Sequence, residues 1–267
     1  MIEQLRVQPG DAPRLMARDP ADRLGLGDEA KADAALQDLA RRLDALHDRL
    51  WAEATRAVLL VLQGMDASGK DGAIRKVLSG LNPQGCVVAS FKAPSDAELA
   101  HDYLWRVHAV TPPRGRIGVF NRSHYEDVLA GRVIGVVTAE QCQLRYRHLV
   151  DLERMLTDEG TVVVKVFLHL SKDEQRARLQ ARLDDPEKSW KFKTADLEVR
   201  ARWDEYQSLY EETITATSSD HAPWHVVPAD HKWVRDVAVA TLLVDALERL
   251  DPRYPPPDPA LHSLRVE

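Results

Sequence analysis

The run Val58-Leu59-Leu60-Val61-Leu62-Gln63-Gly64-Met65-Asp66-Ala67-Ser68-Gly69-Lys70-Asp71-Gly72 passes from a continuous apolar stretch into a glycine-bounded loop. The apolar part reads as a strand buried on both faces. Gly64, Gly69 and Lys70 fit the spacing Gly-x-x-x-x-Gly-Lys, and a helix is predicted over 72–78. In such a unit the backbone N–H groups of Gly64, Ala67, Ser68, Gly69, Lys70, Asp71 and Gly72 close around a phosphate, and the helix N-terminus adds its dipole. The Lys70 ammonium reaches the terminal phosphate oxygens. A strand before and a helix after distinguish this loop from an ordinary turn, so the chain reads as a phosphoryl-transfer enzyme.

Two acids set the loop apart. Most loops of this kind carry Ser or Thr after the lysine to bind magnesium, and here the position holds Asp71. We read Asp71 as a helix N-terminal acid that stabilises the first turn. Asp66 lies within the loop, where bound phosphate would repel a carboxylate unless a cation sat between them. Asp66 is therefore a candidate magnesium ligand, with a hydrogen bond inside the loop as the alternative.

Working outward, β-rich runs recur at 57–62, 87–91, 117–120, 162–168 and 225–228, separated by helical stretches. Ser95 with Glu98, Thr138 with Gln141 and Ser171 with Glu174 have capping-box spacing at helix starts. Strands alternating with helices imply an α/β fold with a parallel sheet. Residues 1–28 read as an irregular arm. A helix follows to about 56, with Leu36, Leu39, Leu43, Leu46 and Leu50 on one stripe. That stripe serves packing on its own domain or a subunit contact. The division expected is an arm and helix over 1–56, a phosphotransferase domain over 57–250, and an extended, partly disordered Pro-rich tail over 251–267.

The bulk properties exclude several classes. The net charge of -6 gives no basic surplus for a nucleic-acid partner, although cations gathered locally could still hold an anion. No apolar run is long enough to span a bilayer, so no membrane role is expected. Cys86 and Cys142 are the only cysteines, which makes no disulfide framework and suits a reducing cytoplasm.

A second strand end reads Ile117-Gly118-Val119-Phe120-Asn121-Arg122-Ser123-His124-Tyr125-Glu126-Asp127. Ligands of α/β sheets sit beyond strand carboxyl ends, so this segment and the phosphate loop should line one crevice. Arg122 offers a planar fork to phosphate oxygens. Glu126 and Asp127 are placed to hold magnesium-bound waters or an acceptor group, or are solvated helix-terminal charges. Between 171 and 210 lies a charged helical excursion. Its Arg178 and Arg182 share a helix face, and Trp190-Lys191-Phe192-Lys193 gathers aromatic and basic groups. We read the excursion as a lid that brings arginines over the transferring group.

These segments together resemble the polyphosphate kinase 2 family. So do Asn82-Pro83-x-Gly85, Phe91-Lys92-x-Pro94-Ser95, His101-Asp102-x-Leu104-Trp105-Arg106 and Ala222-Pro223-Trp224-His225-Val226-Val227-Pro228-Ala229-Asp230. The resemblance implies a P-loop kinase-like, thymidylate kinase-like fold: a parallel sheet flanked by helices, with a helical lid. It implies reversible, magnesium-dependent transfer between inorganic polyphosphate and nucleotides, with Mn2+ a possible substitute. Asp66, Lys70, Arg122 and Arg182 fall on the family's catalytic positions, and Asp66 and Asp127 are the metal candidates. Lys76, Arg178, Lys191, Lys193 and Arg200 are candidates for holding the polyphosphate or the nucleotide. Tyr125-Glu126-Asp127 resembles the subgroup that uses both AMP and ADP, with Asn121, Glu126 and Asp127 as selectivity positions. GMP and GDP are further candidate acceptors. A homo-oligomer, tetramer or dimer, is expected. The rivals are an ATP-dependent nucleoside monophosphate kinase, which Asp71 disfavours, and a non-catalytic polyphosphate or nucleotide sensor.

Overall fold

The computed structural model describes residues 1–260 and 264–266. Its strands are β1 (Arg6–Val7), β2 (Ala57–Gln63), β3 (Cys86–Ser90), β4 (Ile117–Asn121), β5 (Thr161–His169) and β6 (Trp224–Pro228). The longer helices are α1 (Glu29–Glu53), α2 (Lys70–Val77), α3 (Ala139–Asp158), α4 (Lys172–Asp184), α5 (Thr194–Ala201), α6 (Trp203–Thr217) and α7 (Lys232–Leu250). The strands form one sheet in the order β1-β6-β5-β2-β4-β3, parallel except for β1.

Every residue of β2 is buried because helices cover both faces. Val58, Leu60 and Leu62 pack with α1 and α7 through Leu36, Leu43, Leu243 and Leu247. Leu59 and Val61 face α3 and α6 through Leu149, Leu152, Tyr210 and Ile214. The five leucines of the α1 stripe are all buried in the first of these layers, so the stripe serves this chain's own core. The opposite case is β3, a sheet edge whose Val88 and Ser90 are exposed.

Three sequence expectations are corrected. The arm over 1–28 is not wholly irregular: Ile2–Leu5 is a helical turn, and Arg6–Val7 pairs antiparallel with β6. Two residues carry too little pattern to be read as a strand; what holds them is the edge of β6 and the burial of Leu5 and Val7. The capping boxes at Ser95 and Thr138 are complete. At Ser171 only the hydroxyl half forms, because Glu174 turns to Arg178 and the Ser171 N–H donates to Asp230. The tail is extended but tethered, with Arg253 N–H donating to Glu53 and the Tyr254 hydroxyl to Asp48. Residues 261–263 and 267 of that tail lie outside the described residues.

The topology positions the site. β2 and β4 are neighbours, with Leu62 opposite Asn121, so the phosphate loop and the Asn121-to-Asp127 segment emerge side by side. β5 flanks β2 on its other side and leads into α4. The charged excursion runs through α4, a short turn at Ser189–Lys191, and α5. Trp203, Tyr206 and Tyr210 of α6 are buried in the body of the domain.

Candidate active site

The loop between β2 and α2 is shaped by two glycines with positive φ. Gly64 has φ +149°, and a Cβ there would lie 2.8 Å from the Leu168 carbonyl oxygen. Gly69 has φ +100°, and a Cβ there would clash with Arg235 Nη1. Lys70 opens α2 and folds back over the loop, its Nζ donating to the carbonyls of Gly64 (2.7 Å) and Met65 (3.1 Å). Burial, with a smaller push from Arg122, lowers its pKa to about 8.

Arg122 joins the two loops. It sits in the left-handed region at φ +62°, and its Nη2 donates to Asp66 Oδ1 at 2.6 Å. Its Nη1 reaches Glu126 at 3.4 Å. Burial pushes the Glu126 carboxyl up, while Arg122 and Lys70 oppose the rise. The Gln63 amide, oriented to satisfy both neighbours, donates to Glu126 Oε1 at 3.1 Å and accepts from Ser123 N–H at 3.3 Å. Asp66, Lys70, Arg122 and Glu126 are thus one cluster.

Other sequence candidates sit elsewhere or are already engaged. Asp127 is paired with Arg106 at 3.2 Å, so the acid that shares Arg122 with Asp66 is Glu126. Asn121 donates to Asp71 at 2.6 Å, which ties β4 to the first turn of α2. Arg178 clamps the backbone beside the phosphate loop. Its guanidinium donates to Ala67 O, Ser68 O, Ala229 O, Asp230 O and Glu174, engaging all five N–H groups. Arg200 donates to Lys172 O and Gln175, which braces α5 against the start of α4. Lys76 and Lys193 are exposed, and Lys191 Nζ lies 5.1 Å from the Trp190 ring centre. Arg182 follows on the α4 face of Arg178, with Asp196 of α5 at 4.0 Å.

Three residues of the site escaped the sequence reading. Gln175 is fully buried and donates to the Asp66 carbonyl at 2.9 Å. Asp196 lies close enough to Asp66 that burial, and then that charge, raise its pKa. Arg235 is buried against Gly69 and Gly72, held by Asp236 through Nε (2.8 Å) and Nη2 (2.6 Å). The strand-end rule, applied to the end of β6 as it was to β4, would have found it.

Among the described residues, no three His, Cys, Asp or Glu side chains form a metal cage, and no helix is long and apolar enough to cross a membrane. Magnesium is commonly held by one or two carboxylates plus substrate phosphates, so Asp66 beside the phosphate loop suits it.

The model of the family "Polyphosphate kinase 2 (PPK2)" matches residues 27–255. An AMP/ADP-polyphosphate phosphotransferase of Meiothermus ruber is 51% identical over 267 residues, covering 100% of both chains. An ADP-polyphosphate phosphotransferase of Rhodopseudomonas palustris is 49% identical over 237 residues, covering 84% of this chain and 82% of that one. The crystal structure of Polyphosphate Kinase 2 from Arthrobacter aurescens TC1 superposes with a TM-score of 0.92 at 45% identity, over 96% of this chain and 92% of that one. With a family match over most of its length, and a relative 51% identical from end to end, the chain belongs to the polyphosphate kinase 2 family.

Proposed function

We propose that this chain phosphorylates AMP and ADP with inorganic polyphosphate as donor. The observation that carries the reading is the Asp66–Arg122 pair (2.6 Å), a carboxylate and a guanidinium that face each other across two strand-end loops. A phosphate acceptor has its last pKa near about 6, so it is largely ionised at neutral pH and needs no strong general base. The protein's part is alignment and charge neutralisation. Loop N–H groups and Lys70 hold the donor end, Arg122 faces the transferring group, and Arg182 closes over it from α4. Bound at Asp66, Mg2+ or Mn2+ would neutralise phosphate charge. Asp71, engaged by Asn121, leaves no hydroxyl after Lys70, which disfavours the ATP-dependent rival.

Several finer features belong to this reading. The reaction is reversible, and GMP and GDP are also accepted. Glu126, beside Arg122, contributes to the choice between monophosphate and diphosphate acceptors. The chain assembles as a homo-oligomer through a surface other than the buried α1 stripe. It works in the cytoplasm, where Cys86 and Cys142 stay reduced. The test is product analysis with long-chain polyphosphate plus AMP, ADP, GMP or GDP, without ATP, beside a parallel arm with ATP as the sole donor. Formation of ADP from AMP and of ATP from ADP is expected. Turnover only with ATP as donor would overturn the reading in favour of an ordinary nucleotide kinase.

A further inference from the structure

Beneath the Arg122 loop lies a charged cluster that plays no part in binding phosphate. Lys165 of β5 and Glu153 of α3 are both fully buried and paired at 2.6 Å. Glu153 also accepts from the Tyr125 hydroxyl at 2.7 Å, and His124 Nε2 lies 3.2 Å from the same oxygen. Lys165 donates further to Thr217 O (2.7 Å) and to the Tyr125 hydroxyl (3.1 Å), and lies over the rings of Trp224 and Tyr125. Burial alone would raise the Glu153 carboxyl, yet Lys165 and His124 lower it.

Such a pair is an uneconomical way to stabilise a core. Its desolvation offsets much of its attraction, and a well-packed apolar pair is often as stable. Its partners suggest another role. His124 and Tyr125 directly follow Ser123 and Arg122, and the Ser123 hydroxyl itself donates to the Gln63 amide oxygen at 3.0 Å. Arg122 adopts φ +62°, a conformation that costs a non-glycine residue about 1–3 kcal/mol and persists only where the surroundings impose it. Two of the residues that follow Arg122, His124 and Tyr125, are drawn into the core by one carboxylate.

We propose that Glu153 and Lys165 are positioning residues for phosphoryl transfer: they anchor His124 and Tyr125 and so fix the guanidinium of Arg122 at Asp66. The inference rests on the proposed function, and it concerns only how Arg122 is aimed. A displacement of about 1 Å at a reacting group can cost on the order of 100-fold in rate.

The test is a double-mutant cycle assayed with polyphosphate and ADP. Lys165→Met with Glu153→Leu replaces the pair by apolar groups of similar size. It should stay folded, with a lowered thermal transition because the Tyr125 hydroxyl and the Thr217 carbonyl lose their partners, while kcat falls 10- to 100-fold, on the order expected for misalignment, with KM for ADP little changed. Lys165→Met with Glu153→Gln retains an acceptor for Tyr125 and should recover most of the rate. In an Arg122→Ala background neither pair of substitutions should lower kcat further. A folded Met/Leu variant with unchanged kcat, or an equal loss in the Arg122→Ala background, would overturn the proposal. Should the Met/Leu variant not fold, Tyr125→Phe, which leaves the ion pair intact, takes its place in the cycle. A few-fold loss that vanishes without Arg122 is then expected, and no loss overturns it. The unsubstituted chain is assayed alongside: its inactivity would overturn the functional reading, whereas failure of the cycle with an active parent overturns only the positioning.

Discussion

Arg122 Nη2 donates to Asp66 Oδ1 at 2.6 Å, so the guanidinium that would face the transferring phosphate also occupies the carboxylate that would hold a divalent cation. The two functions compete for one contact. Arg122→Ala is therefore expected to lower kcat about 100- to 1000-fold, the usual loss for one electrostatic stabiliser. It should at the same time lower the half-saturating Mg2+ concentration, because Asp66 is released. A magnesium titration of both proteins checks this. An unchanged or higher requirement in the variant would remove Asp66 as the metal ligand.

The lowered pKa of Lys70 gives the site a pH signature. The unliganded protein loses this proton near pH 8, so kcat/KM should fall as pH rises through about 8. Bound anions favour the charged form, and kcat should hold to higher pH. Stability follows the opposite sign. The folded value lies below the ordinary 10.5, so the cost of burying the charge is present below about pH 8 and is relieved between there and 10.5. Rate profiles and denaturant melts over pH 6 to 10 test both trends, and Lys70→Ala should cost several orders of magnitude in rate with the fold intact.

Arg178 is expected to matter for stability as much as for rate. Arg178→Ala leaves four backbone carbonyls without their donor, and a loss of about 3 kcal/mol in denaturant melts is expected. Arg178→Lys should recover little, because an ammonium cannot reproduce the planar fork. Full stability in the lysine variant would show that charge alone suffices.

Gly69→Ala should be severe for two separable reasons. The positive φ costs about 1–2 kcal/mol in any L-residue other than glycine, and the new methyl would strike Arg235. Arg235→Met in the same chain should relieve the second cost and leave the first. If the pair of substitutions is no more stable than Gly69→Ala alone, the contact with Arg235 is not the cause.

Glu126→Gln keeps the shape of the side chain and removes its charge. The ratio of AMP to ADP turnover should change by several-fold, and competition assays with both acceptors measure it. An identical ratio would remove Glu126 as a selector.

The sheet was legible because β2, β4, β5 and β6 are short apolar runs, and burial on both faces writes itself into composition. The phosphate loop was legible because its backbone demands glycine at fixed positions. The choice between Glu126 and Asp127 was not. The two stand next to each other in the short 3-10 turn His124–Asp127, and which one faces Arg122 depends on the pitch of that turn. The contacts of Arg178 were hidden for a related reason. An arginine near a phosphate loop has the same identity whether it grips phosphate or backbone carbonyls, and only the completed contacts with Ala229 and Asp230 tell them apart. Arg235 follows the end of β6, but its sequence neighbours do not reveal its contact with Gly69 and Gly72, which are distant in the chain.

The antiparallel pairing of Arg6 and Val7 with His225 and Trp224 also constrains how the molecule is made. Among the described residues, the earliest-synthesised strand of the sheet has its one strand partner more than 200 residues downstream. Until β6 has left the ribosome, Leu5, Val7 and Leu15 have little to bury against, and closing so long a loop is slow. The arm that Pro20, Arg18 and Val7 hold to Asp230, His169 and Ser218 through their carbonyls therefore docks onto a nearly finished domain. Removing residues 1–8 would leave the phosphate site's own residues in place and uncover the free edge of β6, an invitation to pairing between chains.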